Sequence, residues 1–198
     1  LSTADWPRLA RYREHDIAFR FFTGRFQDAS VLDHLKRSEP DLLINYRGPI
    51  FRRATIETAR IGLLNCHAAL LPEFRGMNVA EWSVLHNFPT GNTVHLIDPG
   101  IDTGAILAFY PVAVEDCSSV DALRSKLTDR NAEHLARTAQ KLKQGHIEKH
   151  PQRRKEGRQY FRMHDALKQT VEGKLRAEYR PAVSVEDRPY VAEPERNP

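Results

Sequence analysis

Two short apolar runs, residues 41–46 (DLLINY) and 61–66 (IGLLNC), constrain this chain more than any other feature. Neither alternates apolar with polar, so each suits a buried strand of a parallel sheet with both faces covered. Helical patterns lie around them: residues 28–37, residues 78–87 with Val79, Trp82 and Leu85 on one face, and residues 120–144, capped by Ser118 or Ser119. Further strands are expected at residues 17–22, 93–97 and 105–114, the last two separated by a turn-rich loop, DPGIDTG. Strands alternating with helices predict an α/β domain: a mainly parallel twisted sheet flanked by helices. That domain is expected over residues 1–150, with a C-terminal extension over 151–198 that holds a helix near 163–178 and a flexible tail. Residues 3–14 already read as helix. The strand and glycine-rich turn that usually open such a domain are not visible, so the first strand–helix unit reads as missing.

At 198 residues the chain is long enough to bury a sizeable core. No apolar run approaches the roughly 20 residues that cross a bilayer, which argues against a membrane partner. Cys66 and Cys117 show neither disulfide nor metal spacing, which favours a reducing cytoplasm, and no metal is expected. The net charge of +4 makes anionic partners plausible without naming one. Much of the positive charge falls between Lys141 and Arg162, where a phosphate or nucleic-acid patch and an ordinary solvated helix end are both open readings.

The chemistry concentrates in residues 64–76, LNCHAALLPEFRG. Asn65 and His67 lie two apart at the end of an expected strand, so both point to one side of the sheet. Ligands of open α/β sheets gather at that carboxyl end. Asp102 sits in the loop leaving a neighbouring strand, where a carboxylate can orient an imidazole and favour its protonated form. His86 and His95 read as peripheral.

NCHAALLPEFRG followed by GNTVHLIDPGIDTGAIL resembles the signature of the formyltransferases that use 10-formyltetrahydrofolate. That family includes glycinamide ribonucleotide, methionyl-tRNA and sugar N-formyltransferases. Its pattern falls here on Asn65, His67, Leu70, Leu71, Pro72, Arg75, Gly76 and Asp102, with Ala69 where many members carry serine. The resemblance implies a Rossmann-like formyltransferase domain with Asn65, His67 and Asp102 catalytic and 10-formyltetrahydrofolate as formyl donor. It places folate contacts at Tyr46, Arg47, Gly48, Ile50 and Phe51, and at Leu96, Ile97, Asp98, Gly100 and Ile101. It also implies a cis bond at Leu71–Pro72.

Three acceptors or roles stay open. Residues 75–87 (RGMNVAEWSVLHN) and 157–164 (GRQYFRMH) look most like the sugar branch, so a primary amine on a nucleotide-linked amino sugar is the leading expectation, with a homodimer as in many sugar enzymes. A methionyl-tRNA formyltransferase is the weaker alternative, since that branch carries a further C-terminal domain, and nucleic acid is not the expected partner. The third reading is a folate-binding or partner-binding remnant without turnover, suggested by the missing first unit.

Overall fold

The computed structural model describes residues 22, 25–46, 48–153 and 155–192. In chain order its elements are α1 (Ala29–Ser38), β1 (Leu42–Ile44), α2 (Arg53–Ile56), β2 (Gly62–His67), β3 (Phe74–Gly76) and α3 (Val79–Leu85). They continue with β4 (Gly91–Leu96), β5 (Ile106–Pro111), α4 (Val120–Asp129), α5 (Asn131–Lys143), β6 (Arg158–Tyr160) and α6 (Asp165–Arg176). The expected helix at residues 3–14 lies outside the described residues, as does the expected strand at 17–22 apart from Phe22.

The two apolar runs become β1 and β2, paired in parallel with Leu43 beside Leu63. The sheet continues as β1-β2-β4-β5. Here one expectation is corrected. The domain is α/β with a central sheet flanked by helices, but its described strands are mixed rather than mainly parallel, because β2–β4 and β4–β5 pair antiparallel. The β4–β5 connection, residues 97–105, is too short for a parallel crossover, which needs a dozen residues or more. The β4–β5 register also slips: Val94 faces Ala108, yet His95 faces Ile106. An extra residue on β5 makes a bulge, a device that re-aims the side chains beside it.

Leu64, Val94, Leu107 and Leu135 bury one face of the sheet against α5. A second cluster joins α3, α4 and α6 through Val84, Leu123, Leu127, Val171 and Leu175. Complete burial of each such aliphatic side chain contributes about 1.5–3 kcal/mol. The stretch after Gln152 shares this packing, since α6 lies on α3 and β6 pairs in parallel with β3. The single helix expected over 120–144 is two, broken at Arg130 between Asp129 and Asn131. Asp and Asn side chains compete for backbone hydrogen bonds and disfavour helix interiors. Ser119 caps α4 by accepting from the Ala122 N–H at 3.2 Å. Among the described residues no helix is long and apolar enough to cross a membrane, and both cysteines are free.

Candidate active site

β2 carries Asn65 and His67 two residues apart, so both side chains leave one face of the sheet. Cys66, between them, points to the other face, where its Sγ lies 3.3 Å from Asn131 Oδ1 and burial pushes its thiol up to about 12. The β2–β4 register places His95 directly beside Asn65. Asp102, from the β4–β5 loop, reaches both imidazoles: Oδ2 is 3.5 Å from His67 Nδ1, and Oδ1 is 3.7 Å from His95 Nε2.

His67 Nε2 stands 2.7 Å from the Phe74 carbonyl. A carbonyl only accepts, so that nitrogen carries a hydrogen. Its other ring nitrogen, Nδ1, faces the Asp102 carboxylate. His67 is 7% exposed and is not among the residues lining the adjacent cleft. Donation from His67 to a developing oxyanion would need a nitrogen that this geometry commits elsewhere.

Asp102 adopts a left-handed backbone, φ 53°, a region that Asp tolerates better than most residues. Its Oδ2 also accepts from the Gly76 N–H at 2.9 Å. Gly76 is required there: its φ is +98°, and a Cβ would sit 2.2 Å from the Tyr160 carbonyl oxygen. Gln152 ties the loop down, donating from Nε2 to the carbonyls of Asp102 and Gly104 at 3.0 and 2.6 Å. Its Oε1 accepts from Arg75 Nε and Nη2 at 3.0 and 2.8 Å. Arg75 of the Arg-Gly pair therefore supports the carboxylate loop through Gln152. Thr93 fastens the Leu-Leu-Pro turn, accepting from the Leu71 N–H at 3.1 Å and donating to Ala69 O at 2.6 Å, and the Leu71–Pro72 bond is cis.

His95 is not peripheral. It is buried to 1% exposure, donates from Nδ1 to the Leu96 carbonyl at 2.9 Å, and offers Nε2 to the Asn65 amide nitrogen at 3.1 Å. Burial, with His67 nearby, lowers it to about 4, so the ring is neutral near pH 7 and makes no ion pair with Asp102. Its position follows from the antiparallel register, which pairs residues 30 apart in sequence.

These groups border a cleft of about 480 Å³, within the ~300–1,000 Å³ usual for small-molecule sites. Ile50, Phe51, Ile97 and Ile101 make an apolar wall, and Asn65, His95 and Asp102 stand at its base. Met77, Gln159, Tyr160 and Phe161 line the cleft as well. Those last three come from β6 and its exit, a stretch to which the sequence had suggested no place in the site. Among the described residues no group of three or more His, Cys, Asp or Glu side chains could hold a metal ion.

A family model described as "Formyl transferase" matches residues 12–139, well over half of the sequence. The chain belongs to the formyl transferase family. A methionyl-tRNA formyltransferase of Clostridium perfringens is 34% identical over 127 residues, covering 63% of this chain and 41% of the relative. The chain thus spans about two fifths of the length of the curated relatives it matches. Among solved structures, the formyltransferase PseJ of Anoxybacillus kamchatkensis superposes with a TM-score of 0.58 at 23% identity, covering 79% of this chain and 80% of that one. A 4-N formyltransferase of Francisella tularensis gives 0.56 at 18% identity, covering 80% and 62%. These likenesses speak for the fold.

In this family member Gly48, Ile50, Phe51, Ile97, Asp98, Gly100 and Ile101, the folate contacts expected from the sequence, line the cleft. Asp98 also holds the loop's shape, its Oδ1 accepting from Gly100 N–H at 3.0 Å and Thr103 Oγ1 at 2.5 Å. Leu96 does not line it. Alternation along β4 turns its side chain into the core on the other face, while His95 and Ile97 face the cleft. Tyr46 is exposed and off the lining, and Arg47 lies outside the described residues. Lys141, Lys143, Lys149, Arg153, Lys155 and Arg158 are absent from the lining as well.

Proposed function

We propose that this domain transfers a formyl group from 10-formyltetrahydrofolate to a primary amine carried by a nucleotide-linked amino sugar. The observation that carries the reading is that Asn65 and Asp102 line one apolar-walled cleft, with His67 held 3.5 Å from the Asp102 carboxylate. The wall formed by Ile50, Phe51, Ile97 and Ile101 fits a flat pterin, and the 98–102 loop borders the same space. The folate supplies the formyl carbon on N10. Asn65 has one amide hydrogen committed to His95 and a second left to donate to the formyl oxygen as charge develops there. Such a donor is commonly worth about 3–4 kcal/mol of transition-state stabilisation. The His67–Asp102 pair receives the proton that the attacking amine must lose, directly or through water.

Two features support the sugar reading. The second wall, with Met77 and Phe161 exposed beside Tyr160, offers apolar surface on which a sugar or base ring can lie. PseJ, whose fold covers most of this chain, is known in complex with a UDP-linked formamido sugar and tetrahydrofolate. The second reading is methionyl-tRNA, favoured by the curated relatives and by the exposed basic segment around Lys143–Arg158. An assay following tetrahydrofolate release from 10-formyltetrahydrofolate, with nucleotide-linked amino sugars and methionyl-tRNA as acceptors, separates them. Turnover with a sugar amine alone supports the proposal, and turnover with methionyl-tRNA alone replaces it. Folate binding without turnover on any amine points to a binding remnant.

A further inference from the structure

The hydrogen bonds around Asn65 all run in one direction. At one end the Gly48 N–H, which can only donate, meets Asn45 Oδ1 at 2.7 Å. Asn45 must then turn its amide nitrogen toward Asn65, and its Nδ2 donates to Asn65 Oδ1 at 2.9 Å. At the other end the Leu96 carbonyl, which can only accept, fixes the hydrogen on His95 Nδ1 at 2.9 Å. His95 Nε2 is left to accept from Asn65 Nδ2 at 3.1 Å. Four hydrogen bonds therefore run head to tail from a main-chain donor to a main-chain acceptor. Reversing any one amide breaks the bonds on both sides of it.

The first link depends on Gly48. A Cβ there would stand 2.1 Å from Asn45 Oδ1, so a side chain at that position would displace the Asn45 amide. Asn45 itself is held at the end of β1, its N–H donating to the Leu64 carbonyl at 2.8 Å, one residue before Asn65. The backbone thus brings the two asparagines side by side, and the glycine leaves room for the contact that fixes their polarity.

An asparagine amide has two orientations of nearly equal shape and opposite polarity. One offers the cleft an N–H, the other a carbonyl oxygen that would repel a developing oxyanion. We propose that Asn45 is a positioning residue for formyl transfer, setting the Asn65 amide so that Nδ2 rather than Oδ1 is presented to the reacting oxygen. This rests on the reading of Asn65 as the oxyanion donor.

Two substitutions separate this role from a plain loop contact. Asn45→Asp keeps an oxygen for the Gly48 N–H but replaces the donor facing Asn65 by an acceptor. The Asn65 amide then turns over, and its oxygen faces His95 Nε2. Asn45→Ala removes both contacts and leaves His95 alone to orient the amide. The expected order of kcat is Asn, then Ala, then Asp, with a loss of about a hundredfold in Asn45→Asp, about tenfold or less in Asn45→Ala, and KM for the folate within about threefold. A loop-anchoring role predicts the reverse order for the two variants.

The 15N resonances of the His95 ring give a second readout in the free protein, independent of turnover. In the unsubstituted protein Nε2 is unprotonated, and in Asn45→Asp it moves toward the protonated position. If Asn45→Asp retains more activity than Asn45→Ala, or the His95 Nε2 resonance stays in place, the proposal is overturned. Asn65→Ala is the control for the underlying reading. Full turnover in that variant would show that Asn65 is not the donor, a failure distinct from that of the Asn45 series.

Discussion

Asn65 and His95 sit side by side across the antiparallel β2–β4 pair, with the amide nitrogen 3.1 Å from an imidazole nitrogen that can only accept. The histidine thereby decides which atom of the amide is left for a ligand. Substituting His95 should cost activity although the ring carries no charge and moves no proton. His95→Gln is expected to lower kcat by about tenfold or more, as for loss of an oriented donor. His86→Gln, whose ring packs on Phe74, Trp82 and Tyr160 but does not itself line the cleft, should stay within about twofold. Steady-state assays of the two variants side by side check this, and equal effects would return His95 to a peripheral role.

Stability should depend on pH on the acid side. Burial is the main cause lowering both His95 and His134 to about 4, against 6.5 for an ordinary histidine. Between those values the unfolded chain binds more protons than the folded one, so stability is intact above about 6.5 and falls as pH drops toward about 4. Below that both states are protonated and the dependence ends. The slope reaches at most about 1.4 kcal/mol per pH unit for each ring. Urea midpoints measured across this window should fall, and His134→Gln should flatten the decline without abolishing it.

Cys66 lies between two proposed catalytic residues yet should be chemically silent. Its thiol is pushed up to about 12 by burial, on the face of β2 away from the cleft. Only the thiolate attacks alkylating reagents. Mass spectrometry after iodoacetamide treatment of the folded protein should find Cys66 unmodified and formyl transfer undiminished, with modification appearing on unfolding. Rapid labelling in the native state would place this side chain differently.

What the sequence revealed follows from what is local. The strand period alone put Asn65 and His67 on one face, and the apolar runs marked β1 and β2 because a strand buried on both sides needs uninterrupted apolar residues. Asp102 was found through the words around it rather than through spacing. His95 was missed because its contact depends on strand direction and register, which periodicity does not set. The alternation in TVHLID, with His95 and Ile97 on one face, was the available signal. The wall formed by Gln159, Tyr160 and Phe161 was missed for a related reason. It rests on a three-residue strand, β6, whose partner β3 lies more than eighty residues earlier in the chain.

Asp102 tests the central claim most directly, because its carboxylate lines the cleft and reaches both imidazoles. Asp102→Asn keeps an oxygen for the Gly76 N–H and removes the charge facing His67. Single-turnover formyl transfer from 10-formyltetrahydrofolate, with the acceptor found in the assay above, should slow by about a hundredfold or more while folate affinity stays within about threefold. An undiminished rate in Asp102→Asn would contradict the assignment of this cleft as the site of formyl transfer.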